Sequence, residues 1–224
     1  MAFASYLPLQ GDPLYSHLLT PEGLSATERP KPSDYKLVSP EYLATLGIPL
    51  IAGRNIDWTD VYQKRPVVMV SENLAQREWG GAAQALGKRT RAGVVDQWRE
   101  VVGVVADVHD TGVREAANTM LYYPMLMERM FGAPLWGERS VAFAIRSSRT
   151  GTEGLISDVR KAVASVVAGA PLANVWTMQE GVEKSFLRTA FSLLVLEIAA
   201  GMALLLGVIG IYSVVSYAVS QRDP

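Results

Sequence analysis

IAAGMALLLGVIGIYSVVSYAV, Ile198 to Val219, decides how the rest of the chain is read. The run is 22 residues long and holds no charge, Pro, Asn or Gln. At a rise of ~1.5 Å per residue, a helix of this length reaches ~33 Å, enough to cross a bilayer core of ~30 Å. Ten of its residues are Ile, Leu or Val, and each favours insertion by roughly 0.3 to 0.6 kcal/mol. Glu197 would cost about 2.5 to 3.5 kcal/mol at mid-membrane. It lies ~16 Å from the centre of the run, which puts it at the interface. A helix buried in a soluble core is the alternative, but uncharged runs of this length argue for a membrane span.

Within the run, Gly207, Gly210, Ser213 and Ser216 recur every third residue as a ridge of small side chains. Lipid tails give no hydrophobic reward for helix pairing, so close approach along small residues is a main way to drive it. These four are the candidate helix-packing residues; the plain alternative is that Gly and Ser are merely tolerated there. Tyr212 and Tyr217 are candidates for membrane or partner contacts, Tyr217 lying near enough to the end for the aromatic belt.

Working back from the run, a helix starts near Met178 and passes through Lys184 and Arg188 into the span. Ala173 to Thr177 reads as a strand, preceded by a break at Gly169 to Pro171. Thr152 to Val167 is an amphipathic helix, with Leu155, Val159, Ala162, Val163 and Val166 on one face. Ser140 to Arg146 alternates as a half-buried strand. Met125 to Gly137 is Met-rich and carries no clear period, and Leu121 to Pro124 is a brief extended piece. Trp98 to Val108, WREVVGVVADV, is the strongest strand pattern in the chain. Lys88 to Arg91 is a basic strand candidate. Pro66 to Ser71 reads as a strand and Ser71 to Trp79 as a helix capped by Ser71 and stopped at Gly80-Gly81.

Closer to the amino terminus, Tyr35 to Val38 and Ile48 to Ala52 are short strands around a helix that opens at Ser39-Pro40-Glu41 and ends at Gly47. Residues 1–34 hold five of the 12 prolines and read as irregular. Two βαβ-like units, about 35–52 and 140–177, therefore bracket a β-rich middle. The fold class expected is α+β, with two βαβ units, an inserted β-rich subdomain at about 66–137, and one transmembrane helix. The domain division expected is 1–183 for the folded part and 184–222 for the helix entering and spanning the membrane.

The totals narrow the function. The chain has 224 residues, a formal net charge of −1 and 19% charged residues, which leaves room for one or two domains ahead of the span. Near-neutral charge argues against nucleic acid as a partner. With no cysteine, there are no disulfides, thiolate nucleophiles or Cys-ligated zinc. The opening MAFASYLPLQGDP lacks the pattern of a secretory signal. Both ends read as cut, so a fragment of a longer polytopic protein is expected.

Catalytic patterns are sparse. GAAQALGKR, Gly81 to Arg89, is a near miss to a phosphate loop: five residues separate Gly81 from Gly87, and Arg89 stands where a Ser or Thr would hold magnesium. Its expected role is a turn leading into a strand. Asp107, His109 and Asp110 cluster after the long strand, and on an extended chain Asp107 and His109 share a side, as a weak metal site would require. No GxSxG, HExxH or CxxC occurs, and no cofactor is expected.

Five stretches in order carry a family resemblance: SPEYLATLGIPLIAGR (Ser39 to Arg54), VVMVSENLAQREW (Val67 to Trp79), LGKRTR (Leu86 to Arg91), VVGVVADV (Val101 to Val108) and LLLGVIGIYSVVSYAVSQR (Leu204 to Arg222). Together, over roughly Tyr6 to Arg222, the chain resembles MacB/FtsX-type ABC transporter permeases. The resemblance implies a MacB-like periplasmic core domain with a porter-like part and an inserted second lobe, extracytoplasmic and held at the cell inner membrane, followed by the start of an FtsX-like membrane domain. It implies a non-catalytic permease subunit that couples ATP-driven motion to export or signalling. The partners it implies are membrane lipid, an ABC ATPase subunit or domain, a second copy in a homodimer, and a periplasmic adaptor. Glu197 departs from the small or apolar residue usual there. Lys184 and Arg188 precede the span and only Arg222 follows it, which by charge alone puts the large domain inside, against the resemblance. Two other functions compete: a membrane-anchored enzyme using Asp107, His109 and Asp110, and an anchored binding module unrelated to any ATPase.

Overall fold

Alternation with a period of two, the mark of a strand whose faces meet different surroundings, runs through the middle of the chain. In β3 (Lys31–Val38), Tyr35 and Leu37 enter one buried cluster and Val38 the other. In β5 (Val67–Ser71), Val68 and Val70 part from Val67 and Met69 in the same way. In β8 (Met120–Pro124), Leu121 and Tyr123 part from Met120 and Tyr122. All five residues of β5 and of β8 are buried, so these strands are covered on both faces and read as continuous apolar runs.

The computed structural model describes residues 1–10, 15–25, 29–93, 95–138, 140–166 and 174–220; the side chains of 187–195 and 212–220 lie outside the description. One nine-stranded sheet adds β1 (Ala2–Ala4), β2 (Ser16–Pro21), β4 (Leu50–Gly53), β6 (Arg89–Arg91), β7 (Arg99–Val105) and β11 (Ala142–Ala144). Its path is β11-β1-β3-β2-β6-β7-β5-β8, with β4 antiparallel to β7. A parallel pairing of β3 with β8, from Asp34↔Met120 to Val38↔Pro124, joins two strands of that path directly. Six strands thereby form a closed circuit: β3, β2, β6, β7, β5 and β8. β9 (Leu126–Met130) and β10 (Ala133–Gly137) form a separate antiparallel hairpin.

Val102 is an extra residue in β7, because Val68 aligns with Val101 and Met69 with Gly103. This bulge resets the alternation: Val101 and Val104 fall in one cluster, Val105 in the other. Gly103 is required at the crossing, since a Cβ there would meet the main-chain oxygen of Arg54.

Helices α3 (Glu72–Trp79) and α4 (Ala82–Ala85) supply Leu74, Ala75 and Ala85 to the first cluster. Helices α1 (Tyr42–Leu46) and α2 (Trp58–Tyr62) supply Tyr42, Leu43 and Val61 to the second. Gly47 ends α1 and Gly80 ends α3, each left-handed (φ 74° and 80°) and each donating its N–H back to a helix carbonyl, as the patterns required. Helix α5 (Glu153–Val166) has no buried residue: Leu155, Val159 and Val163 are half-buried, Ala162 and Val166 exposed. Helix α6 (Met178–Ser220) runs 43 residues. The chain divides into two compact units, Met1–Gly181 and Val182–Pro224.

Several expectations need correction. The proline-bearing leader is not irregular throughout: β1, β2 and the first half of β3 lie in it. Pro21 closes β2, and Pro32 sits in the outer half of β3 opposite Leu18, so the prolines fall at a strand end and a strand start, where a missing donor is tolerated. Residues 174–177 are not a strand; the break at Gly169 to Pro171 lies outside the described residues. The Met-rich stretch forms the β9–β10 hairpin, turning at Phe131 and Gly132, both at positive φ (51° and 75°). Among the described residues no helix is long and apolar enough to cross a membrane; in α6 the described side chains of the apolar run end at Ile211.

Candidate functional site

The fold gathers its buried polar groups around Lys36. This residue sits on the Val38 side of β3 with no exposed surface. Its ammonium is paired with the Asp110 carboxylate, itself buried. Lys36 Nζ also donates to Tyr42 Oη at 3.3 Å and lies 4.5 Å from the centre of the Tyr6 ring. Burial pushes the Lys36 amine below its usual range, while the charge of Asp110 pulls the other way. Burial likewise pushes the phenols of Tyr6, Tyr42 and Tyr122 upward, with Asp110 adding to each, so all three stay protonated. The Asp110 main-chain oxygen accepts from Leu9 N at 2.8 Å. The ion pair ties β3 to the segment after β7, and the main-chain bond at Asp110 ties that segment to the loop after β1. An ion pair removed from water in this way is retained at the expense of desolvation, and its loss on one side leaves a bare buried charge.

Asp107, His109 and Asp110 do not converge. Asp107 Oδ1 accepts from Asn73 N at 2.9 Å at the start of α3. It thus caps the helix that Ser71 was expected to cap. Ser71 is engaged elsewhere: its hydroxyl accepts from Met120 N at 2.9 Å. His109 is exposed, and its Nδ1 donates to the main-chain oxygen of Glu115 at 2.6 Å. Asp110 faces Lys36. Among the described residues no three His, Cys, Asp or Glu side chains group as a metal site would require.

Gly81 to Arg89 folds as the four-residue helix α4, a turn at Gly87 (φ 73°) and the first residue of β6. Its Gly87 N–H is committed to the Val101 oxygen at 2.9 Å, so it makes no phosphate cradle. Gly207 and Gly210 lie in α6, are exposed, and have open space where a Cβ would stand; the side chains of Ser213 and Ser216 lie outside the described residues. Each step of three turns about 300° on an α-helix, so the four positions fan around the axis rather than forming a straight line.

Three further polar groups escaped sequence reasoning. Asp57 and Asp60 form a capping box on α2, each carboxylate accepting from the other's N–H, at 2.8 and 3.1 Å. The Asp-x-x-Asp spacing was a readable signal. Burial pushes Asp60 up, but bonds from Arg54 and the Asp57 N–H outweigh it and hold the carboxyl below its usual range. Arg99 is buried and donates from Nη2 to the Glu128 oxygen at 2.7 Å, holding the β9–β10 hairpin. His17 packs among Tyr35, Tyr123 and Phe131, and its Nε2 lies 3.1 Å from Tyr123 Oη. Burial pushes it down to about 4.

These strands, helices and buried polar groups make a mixed α+β lobe. The model of the MacB-like periplasmic core domain matches residues 16–151, more than half of the chain, and the chain belongs to that family. Such domains are extracytoplasmic parts of ABC-type transporter permeases. Among solved structures, the chain is similar to the periplasmic region of MacB from Actinobacillus actinomycetemcomitans, at 20% identity and a TM-score of 0.47, covering 67% of this chain and 63% of that one. It is similar to a domain assigned to a permease protein of Porphyromonas gingivalis at 18% and 0.49, covering 75% and 70%. It is also similar to the extracellular domain of the noncanonic ABC-type transporter YknZ from Gram-positive bacteria, at 17% and 0.40, covering 71% and 94%. No curated protein matches.

Proposed function

We propose that this chain is the extracytoplasmic lobe, and the first membrane-entering helix after it, of a non-catalytic permease subunit that works with an ABC ATPase at the inner membrane. The family match over residues 16–151 carries the reading. The length of α6 supports its membrane part. Forty-three residues in one helix extend ~65 Å, about twice a bilayer core. Ile198 to Val219 supplies the span, and the remainder is a stalk on the Met178 side. A continuous helix resists bending, so a displacement at its membrane end is carried to its other end. Coupling of ATP-driven motion to export or signalling would take this route, with Gly207 and Gly210, about 60° apart around the helix, as the packing positions toward a second copy; Ser213 and Ser216 turn progressively away from Gly207. The scattered fates of Asp107, His109 and Asp110 favour this reading over the anchored enzyme.

The test uses the absence of cysteine. A spin label on a cysteine introduced at exposed Val95, in membranes that hold the permease and its ATPase, should change its distance distribution between copies when ATP replaces ADP. An unchanged distribution in an ATPase-active preparation would contradict the coupling.

A further inference from the structure

Among the described residues the β9–β10 hairpin pairs with no strand of the nine-stranded sheet. Its base is held firmly: Met127 and Met130 are buried in the first cluster, and Arg99 Nη2 donates to the Glu128 oxygen at 2.7 Å. Its tip is held by longer bonds. Gly132 N donates to Asp96 Oδ1 at 3.3 Å, and Gln97 N to the Arg129 oxygen at 3.2 Å. Arg129 and Phe131 both take left-handed backbone there (φ 49° and 51°), a conformation that non-glycine residues keep only where surrounding contacts impose it. The Phe131 ring makes such contacts, its centre 5.8 Å from His17, 5.3 Å from Tyr35 and 5.2 Å from Trp136.

His17 joins this tip to the sheet. Its neighbours Tyr35 and Tyr123 sit on β3 and β8, which pair with each other in the closed strand circuit; Phe131 is the neighbour that can move. The groups facing the imidazole are the phenols of Tyr35 and Tyr123, both raised by burial and hence protonated, and the Asp96 carboxylate. Beyond them, Arg99 lies over the Tyr123 ring at 5.7 Å, Glu138 acts on Tyr35, and Arg129 at the tip is exposed. Asp96 has two oxygens in different positions: Oδ1 holds Gly132, while Oδ2 is buried with no hydrogen-bond partner among the described residues. A proton on His17 puts a cation among aromatic rings and near that carboxylate. Approach of the carboxylate and entry of water both stabilise such a charge, and both come at the expense of the tip. We infer that the β9–β10 tip is an acid-released clasp: protonated His17 draws Asp96 from Gly132, and Phe131 swings out while the sheet and the hairpin base stay folded. The inference does not depend on the permease reading.

Hydrogen exchange of the full chain in nanodiscs, compared between about pH 7 and about pH 4.5, tests this. Burial holds the ring at about 4 in the closed form, against its usual 6.5, so the opened tip binds the proton better and acid favours opening. After correction for the intrinsic rate, exchange in the segment 129–133 should rise by about 10- to 75-fold at the lower pH, while β5 and β8 keep their protection. His17→Gln should abolish the rise. Asp96→Asn, which removes the charge that favours the imidazolium, should move the rise to lower pH. Circular dichroism identifies a variant that has lost its fold, and the other variant then decides. No rise in the parent chain, an equal rise in His17→Gln, or an equal rise across β5 and β8 would overturn the inference.

Discussion

Lys36 and Asp110 stand 74 positions apart in the sequence and meet with neither in contact with solvent. Lys36→Met leaves the Asp110 charge buried without its partner, so it should destabilise the lobe by about 3–5 kcal/mol in a denaturant titration. Adding Asp110→Leu should restore most of that loss, because an apolar pair is an adequate substitute for a buried ion pair. A double variant as unstable as the single one would contradict this account. His17 gives a second measurable consequence. Its folded value of about 4 lies below the usual 6.5, so between those two values the unfolded chain binds a proton that the fold refuses. Stability should therefore fall as pH drops from 6.5 to 4, by up to about 3 kcal/mol, and level off below. His17→Gln should flatten that part of the Tm-versus-pH curve. Neither pairing was legible in the sequence, because Lys36 lies in a strand pattern and Asp110 in a polar cluster, and nothing local joins them. The sequence singled out Asp110 for the wrong reason, its neighbours Asp107 and His109, which the fold sends to a helix cap and a loop carbonyl.

Elements with local signals were readable. α1 and α3 end at Gly47 and Gly80 as expected, β5, β7 and β8 fall on the apolar runs, and β3 contains the expected Tyr35–Val38 but begins four residues earlier. The sites that failed were those decided by partners far away. Ser71 has the composition of a cap, yet Asp107 does the capping. The leader has the composition of a loop, yet antiparallel pairing with β3 and β11 makes strands of it. The extra residue in β7 is invisible in a Val-rich run and appears only through its pairing with β5. Gly103→Ala should cost about 1–3 kcal/mol, since the new methyl meets the Arg54 backbone rather than a flexible side chain; an unchanged unfolding midpoint would show that the β4–β7 crossing is looser than described. In α6, Gly207→Leu with Gly210→Leu should weaken self-association in a membrane reporter if those positions pack helices. An unchanged signal would remove them from the interface.

For the whole molecule, the expected α+β class holds, while its arrangement was not foreseeable from the chain order. Strands from 2–53 and from 67–124 interleave in one sheet and close a six-strand circuit through β3 and β8. That closure depends on pairings between distant segments, which periodicity does not encode. The proposed link of this lobe to transport rests on its family and on the apolar run Ile198 to Val219. The most direct test is topological: a cysteine at Val95, in the polypeptide as its own cell makes it, is treated with a membrane-impermeant maleimide. The account expects the protein to pellet with membranes after an alkaline wash and to be labelled in cells whose inner membrane is intact. Protein left in the alkaline supernatant, or labelled only after the inner membrane is permeabilised, would contradict an extracytoplasmic lobe anchored by Ile198 to Val219.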